Sequence, residues 1–322
     1  MKKGYVMKKR LLGLLVVLVW TMTATATMAY DWSQLRGEVD IRLQHKDARG
    51  ETDGTGGATR QFYEQKAELK IMPFEESEFY VGFEGTFRDY TDSADKKADE
   101  RKSYNFFVGN TYYTRIFGKT LTSRPEFGYE NSNRKSSEAR EDRSHESLYF
   151  HPKFNLALSR NWALFTRGKL EYKKLDENRD GSTNKTWAPD TRIEGGAKYR
   201  WNRTHSTSAS IFYRKNSEDT SYYNYQTTMY QARFKHHYNI TRSFTVIPYV
   251  FLDLNNSRQN NQDDMSKDKY GTKFKWKATP DLELYGGAAY ETRKESSSRA
   301  GGWNPAYTKR YFVTHAGMKY KF

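Results

Sequence analysis

Alternation of apolar and polar residues, repeated along most of the chain, is the feature that most constrains this sequence. Near the start, Leu35, Val39 and Ile41 share one face of an extended chain, and Glu38 and Asp40 share the other. A period of two is typical of β-strands whose two faces meet different surroundings. The pattern recurs to the C-terminus in segments of about 10–15 residues, long enough to cross a bilayer at a tilt.

The alternation predicts fourteen strands, joined by short and long connections in turn. This order is typical of an even-numbered up-and-down meander. The predicted strands lie near 35–44, 63–71, 79–88, 103–117, 121–131, 145–158, 162–174, 188–201, 205–216, 226–239, 243–255, 268–278, 282–294 and 309–322. The short turns are 73–77, 118–120, 159–161, 202–204, 240–242 and 279–281, and the long loops are 46–60, 89–102, 132–144, 175–187, 217–225, 256–267 and 295–308.

The composition excludes an ordinary soluble core. Only 36% of the 322 residues are hydrophobic and 29% are charged, yet aromatic residues make up 16%, which argues against disorder. No cysteine is present to form disulfides. A barrel that turns its apolar face to lipid and its polar face to water accounts for all three observations. We therefore expect an all-β fold, a transmembrane up-and-down antiparallel β-barrel of fourteen strands with short periplasmic turns and long extracellular loops.

The N-terminus has the layout of a secretory signal peptide. Basic residues within 1–10 precede an apolar run and then small residues, with cleavage expected after Ala26 or Ala29. We predict a cleaved segment 1–29 and a single barrel domain over 30–322. A membrane-anchoring helix is the alternative, although its apolar run is short. The layout predicts export to the bacterial outer membrane.

Two further features fit this location. Trp32, Trp162, Trp201 and Trp276 lie beside the chain start or a short turn, where an aromatic girdle is expected at the periplasmic interface. The last strand alternates down to the terminal Phe322, an ending that resembles the C-terminal signature of outer-membrane barrels. This resemblance implies recognition of Phe322 by the barrel-insertion machinery.

Local stretches resemble the outer membrane protein G family of monomeric porins. They are Asp190-Thr191-Arg192-Ile193-Glu194 with residues 195 and 199, then 87–90, 248–253 and 320–322. The resemblance implies a monomeric fourteen-stranded pore for small hydrophilic solutes. Where that family has a pair of gating histidines, this chain has Phe244 and residues 267–269. A histidine-operated gate is therefore not expected.

Charged residues on the predicted inner face suggest what the pore prefers. Bases are densest between Arg167 and Lys275, and acids are densest before Glu84 and after Asp253. This separation predicts an electric field across the lumen and a preference for anionic solutes such as acidic oligosaccharides. The alternative is that the charges pair across strands and only keep the interior hydrated. The predicted pore-lining residues are Arg42, Lys66, Arg88, Arg167, Lys169, Arg192, Arg214, Arg233, Lys235, Lys273, Glu68, Glu84, Glu194 and Asp253.

The remaining expectations concern partners and other functional classes. Residues 256–268 form either a lid over the pore or a solvated loop tip. An outer-membrane enzyme and a structural or adhesin barrel are alternatives, but none of the seven histidines lies in a recognisable catalytic or metal-binding motif. We therefore expect no enzyme activity, cofactor, metal or nucleic-acid partner. The expected partners are membrane lipid, lipopolysaccharide and small hydrophilic solutes, and the expected state is a monomer.

Overall fold

The computed structural model describes residues 35–51, 59–73, 78–92, 98–136, 142–179, 182–219, 224–259, 263–299 and 302–322. The predicted signal peptide 1–29 and Trp32 lie outside these ranges, within which no helix is long and apolar enough to cross a membrane. The described strands are β1 Arg36–Glu51, β2 Thr59–Met72, β3 Tyr80–Asp92, β4 Ala98–Gly109, β5 Tyr112–Ile116, β6 Lys119–Arg124, β7 Glu126–Ser136, β8 Asp142–Phe150, β9 Lys153–Ala157, β10 Trp162–Arg179, β11 Ser182–Arg200, β12 His205–Asp219, β13 Asn224–Asn239, β14 Phe244–Gln259, β15 Asp263–Lys277, β16 Leu282–Arg299 and β17 Gly302–Lys321.

The strands form one closed antiparallel barrel. Strand β1 pairs with β2 on one side and with β17 on the other, so the sheet has no free edge at its ends. Strands β4 and β5, β6 and β7, and β8 and β9 are the two halves of single spans, so the described strands make fourteen spans. Closure lets neighbouring strands satisfy each other's backbone groups, as a lipid environment requires. The predicted fourteen-stranded barrel is confirmed.

The closing seam brings the two ends of the described chain together. The backbone N–H of Gly37 donates to the carbonyl of Phe322 at 2.8 Å, and the N–H of Phe322 donates to the carbonyl of Gly37 at 3.1 Å. The aromatic ring of Phe322 lies over Gly37 so closely that a Cβ atom at position 37 would overlap it. Glycine is therefore needed where the last residue closes the ring.

Three neighbouring spans are interrupted at one level of the wall. The interruptions fall at 110–111, at Pro125 and at 151–152. Proline has no N–H to donate to a ladder, so Pro125 and Pro152 contribute no donor to the sheet at these interruptions. Local bonds compensate, because His151 N donates to Glu126 O at 2.7 Å and Gly168 N donates to Pro152 O at 2.9 Å.

Contacts that skip a strand identify the inner face. The Tyr285 hydroxyl on β16 donates to the Asp40 carboxylate on β1, across β17. Arg233 on β13 reaches Glu194 on β11 across β12, with Nη1 2.8 Å from Oε2. Side chains from strands two apart converge only on the concave side of a closed sheet. The charged face of the alternation therefore lies inside, and the apolar face lies outside.

Exposed aromatic residues on the outer face form two rows. The row near the short turns includes neighbours in contact such as Trp162 and Tyr199, whose ring centroids are 4.7 Å apart with the rings tilted by 49°. The other row includes Tyr172 and Trp187, 4.8 Å apart. Such rows are typical of the two interfaces of a membrane. The first row contains the exposed Trp162, Trp201, Tyr238, Trp276 and Tyr320 with the half-buried Tyr199, and the second contains Tyr63, Tyr172, Trp187, Tyr230, Tyr270, Tyr290 and Phe312.

The strands run further than the alternation predicted. Residues 175–187, predicted as a loop, mostly continue β10 and β11. In the segment considered as a lid, 256–268, the described residues 256–259 and 263–268 continue β14 and β15, with Ser257 paired to Asp264. Where a hairpin stands in water on both faces, nothing selects apolar residues on either face, so the alternation that reveals a strand disappears. These described stretches are therefore polar strand extensions.

Candidate functional site

Asp190 is the centre of the densest ion network on the inner wall. It lies on β11, its side chain has no exposed surface, and Lys173 on β10 donates to its Oδ2 at 2.9 Å. Arg192 Nη2 and Arg214 Nη2 donate to the same oxygen at 2.6 and 2.8 Å. Because Arg192 pairs directly with Arg214 on β12, alternation on two adjacent strands places both guanidinium groups beside one carboxylate. A carboxylate buried this deeply needs such partners.

Glu194 repeats this arrangement closer to the short turns. Only 3% of its side chain is exposed. Its Oε2 receives Arg167 Nη2 at 2.7 Å and Arg233 Nη1 at 2.8 Å. The Ser210 hydroxyl donates to Oε1 at 2.9 Å. Arg233 also lies over the ring of Phe212, 3.6 Å from its centroid, which fixes the plane of the guanidinium group.

These two networks give the wall from β10 to β13 a defined charge order. The carboxylates of Asp190 and Glu194 are buried, whereas the side chain of Arg167 remains 45% exposed and those of Arg192 and Arg214 about a third exposed. The acids therefore hold the guanidinium groups in place while the guanidinium groups face the interior. Planar guanidinium groups match carboxylates and phosphates in a two-bond geometry. We call Arg167, Arg192, Arg214 and Arg233 the arginine wall.

The opposite side of the barrel carries more acid. Strands β2 and β12 are the second and ninth spans of the ring and hence face each other. On the β2 side, Lys66 Nζ lies 2.6 Å from Glu84 Oε2 and 3.3 Å from Glu68 Oε2. Lys319 Nζ lies 2.7 Å from Glu38 Oε1. The described acids of this region, Glu38, Asp40, Glu64, Glu68 and Glu84, equal in number the described cations Arg42, Lys66, Lys70, Arg88 and Lys319.

A third network joins the two predicted arginines of β1 and β3. Arg42 Nη2 donates to Glu64 Oε1 at 2.7 Å, and Arg88 Nε donates to Glu64 Oε2 at 2.7 Å. Glu64 is buried, so it again lies behind its partners. It is absent from the predicted pore-lining set although both of its partners are in it.

Three more predicted residues lie against aromatic rings of the inner face. Lys169 Nζ is 4.4 Å from the ring centroid of Tyr149 and 3.3 Å from Glu171 Oε1. Lys235 and Lys273 lie 5.4 and 5.5 Å from the rings of Phe251 and Tyr249, respectively. These distances are within the range of cation–π attraction.

Asp253 has a different environment. It lies where the pairing of β14 and β15 becomes irregular, between Phe251 and Ser257. Its Oδ2 receives the backbone N–H of Lys267 at 2.6 Å, and its own N–H donates to Asp268 Oδ1 at 2.9 Å. Asp253 thus replaces backbone hydrogen bonds that are missing from the ladder. The sequence analysis predicted Asp253 only as a pore-lining acid and did not predict this structural role.

The most buried acid of the wall is missing from the predicted set. Asp190 has the same parity as Arg192 and Glu194, so the alternation was sufficient to place it on the inner face. Lys173 has the same parity as the predicted Lys169, so the alternation was also sufficient to place Lys173 on the inner face. Tyr249 likewise has the same parity as the predicted pore-lining Asp253, but an aromatic side chain by itself looks like a lipid-facing residue in the sequence.

The histidines fall into separate places. His145 and His151 each lie 3.5 Å from a glutamate, Glu130 and Glu126 respectively. His205 Nδ1 is 3.1 Å from His236 Nε2 near a short turn. In the part of the chain that the structure describes, no group of three or more histidine or acidic side chains is placed to hold a metal ion.

Comparison with known proteins identifies the fold. No family model matches the sequence, and no curated protein does. A FadL homologue from Pseudomonas aeruginosa superposes with a TM-score of 0.54 at 10% identity, over 89% of this chain and 90% of that chain. The CymD monoaromatic hydrocarbon channel gives 0.53 at 6%, over 89% and 88%. The deltaS2 mutant of the TodX monoaromatic hydrocarbon channel gives 0.51 at 9%, over 89% and 90%.

At identities this low, the likeness shows a shared fold alone. It supports the fourteen-stranded barrel fold that the structure shows. It does not single out the outer membrane protein G family that the local stretches resemble. It also does not extend to what each channel carries.

Proposed function

We propose that this protein is a passive channel of the bacterial outer membrane for small hydrophilic solutes, with a preference for anionic ones. The arginine wall carries the proposal, because its buried acids leave exposed guanidinium groups facing the interior. Such fixed charges attract anions and repel cations at close range. The resemblance to the outer membrane protein G family supports a pore of this class.

The outer surface supports the location. Two rows of exposed aromatic residues flank an apolar belt, which matches the two interfaces of a membrane. The sequence of 1–29 supports export, and the partners we propose are membrane lipid, lipopolysaccharide and the insertion machinery that recognises Phe322. We propose a monomer, because closure of the sheet leaves no strand edge for a second chain to pair with.

A channel for hydrophobic aromatic solutes is the second candidate. CymD and TodX carry the name of monoaromatic hydrocarbon channels, and rings also line part of this interior, such as Tyr249 and Phe251 with centroids 5.0 Å apart. However, cations cover several of these rings, as Lys46 covers Tyr311 at 3.8 Å. The ion networks on the inner face therefore favour hydrophilic solutes.

Planar-bilayer recording of the refolded protein tests the proposal. We expect a stable conductance whose reversal potential in a salt gradient shows anion preference. Lys235→Met and Lys273→Met should each reduce this anion preference. Among the described side chains neither lysine forms an ion pair, so its removal takes away one positive charge and leaves no carboxylate without its partner. Lys102→Met is the matched control, since Lys102 lies on the outer face beside Glu100, with Nζ 3.7 Å from Oε2.

Each alternative gives a different result. Cation preference or none would contradict the anionic preference and leave a general porin. Block by oligogalacturonate at concentrations where neutral oligosaccharides have no effect would identify a selective channel for acidic oligosaccharides. An uptake of toluene that proteoliposomes accelerate over protein-free liposomes, with no such acceleration for glucuronate, would favour the hydrophobic-solute channel. No conductance at all would contradict the channel and favour a structural barrel or an enzyme.

A further inference from the structure

A second cationic cluster lies on the inner face away from the arginine wall. Its centre is Glu291 on β16, of which only 3% of the side chain is exposed. Glu291 Oε1 receives Arg293 Nε at 2.9 Å and Lys46 Nζ at 3.1 Å. Lys267 Nζ lies 3.5 Å from Oε1, and Lys269 Nζ lies 3.8 Å from Oε2. We call these five residues the Glu291 cluster.

The charges of the Glu291 cluster do not balance. Four cations surround one carboxylate, which leaves three positive charges in excess, or two if Asp253 beside Lys267 is counted. The side chain of Lys46 is only 9% exposed, so water cannot compensate it freely. Burial of like charges without counter-charges costs free energy.

The other networks of the described inner face are closer to balance. Around Asp190, the described cations Arg101, Lys169, Lys173, Arg192 and Arg214 contact three carboxylates, those of Asp190, Glu171 and Glu130. Around Glu194, two arginines contact one carboxylate. The excess is therefore two charges in the first network and one in the second, against three among the five residues of the Glu291 cluster. An anion from solution would remove the larger excess.

The position of the Glu291 cluster suits a solute that enters from outside. Glu291 follows Tyr290, which belongs to the row of outer aromatic residues far from the short turns. The cluster therefore lies at the end of the belt opposite the short turns. Lys46 comes from β1, Arg293 from β16 and Lys267 from β15, so three strands converge on one point of the wall.

We propose that the Glu291 cluster is a binding site for one carboxylate or phosphate group of an anionic solute. Lys46, Lys267, Lys269 and Arg293 supply the positive charge, and Glu291 holds their amino and guanidinium groups together. Within the proposed function, the cluster is a first binding step before the arginine wall. Binding itself does not depend on conduction, so the site and the channel can fail separately.

Calorimetric titration of the folded protein in detergent micelles tests the site with glucuronate as the probe and glucose as the neutral control. We expect glucuronate to bind at least tenfold more tightly than glucose, and the affinity to fall with added salt. The double variant Lys46→Met/Lys267→Met should lose at least tenfold in glucuronate affinity. Lys319→Met should stay within twofold, because Lys319 is on the same inner face but is held by Glu38. If the double variant does not fold, Lys267→Met alone, with its less buried side chain, repeats the test.

Three outcomes would overturn the proposed solute site. Equal affinities for glucuronate and glucose would show that no anion site exists. Wild-type affinity for glucuronate in the double variant would assign binding to a part of the inner face other than the Glu291 cluster. Competition by lipopolysaccharide added to the micelles would assign the site to a lipid phosphate and overturn a solute site. A protein that binds glucuronate but shows no conductance would retain the site and lose the channel.

Discussion

Replacement of Asp190 by asparagine tests how the arginine wall is built. The change keeps the volume of the side chain and removes one negative charge from a position with no exposed surface. Lys173, Arg192 and Arg214 then lose their common acceptor. Removal of one partner from a buried ion pair typically costs ~3–5 kcal/mol. Because both guanidinium groups are about a third exposed and water can solvate them, we expect the lower end, about 3 kcal/mol.

Reversible urea unfolding in lipid vesicles measures this loss as a lower free energy of unfolding at an unchanged slope. Glu146→Gln is the control, because the Glu146 side chain is 51% exposed and lies 4.0 Å from Lys174 Nζ. Such exposed pairs contribute ~0–1 kcal/mol. A loss below about 1 kcal/mol for Asp190→Asn would show that Asp190 is not what holds the three cations, and the account of the wall would be wrong.

Two other predictions concern the closing seam. Gly37→Ala should lower the free energy of unfolding by ~1–3 kcal/mol, because the added Cβ overlaps the Phe322 ring. The control Gly85→Ala should be nearly neutral, since the nearest atom to its added Cβ, Phe83 Cε1, is 3.8 Å away. Equal losses of stability for the two variants in urea unfolding would contradict the overlap at Gly37. Phe322→Ala should reduce the fraction of folded barrel in cells, measured by heat-modified mobility on SDS gels, more than it reduces folding into pure lipid. Equal loss in both settings would argue against recognition of Phe322 by the insertion machinery.

The sequence was sufficient for the barrel because lipid and water select opposite residues on the two faces of a strand. Wherever that selection acts, as from Val39 to Leu43, the alternation indicates the strand and its inner face. The strand ends were not predictable in this way, since both faces of the hairpin between Trp187 and the end of β10 meet water. The interruption at Pro125 follows from a missing N–H, but its alignment with 110–111 and 151–152 depends on the register between strands.

The candidate site was predictable residue by residue but not as networks. Alternation placed Arg192 and Arg214 on one face, and only the register put them on the same carboxylate, that of Asp190. The Glu291 cluster depends on even longer separations, since Lys46 and Glu291 are 245 residues apart in the chain. Contacts across the closing seam have no local signal in a sequence.

The polar strand extensions have a consequence for how such a chain tolerates changes in length. Within the belt, insertion of one residue moves every following side chain of that strand to the opposite face, which would turn charges toward lipid and apolar residues toward water. Beyond the belt both faces meet water, and the same insertion carries no such penalty. Homologues should therefore vary in length at the ends of these strands while the spacing within the belt stays fixed. Epitope tags or cleavage sites placed next to the last described pair of β10 and β11, Arg179 with Ser182, would report surface display without disturbing the barrel.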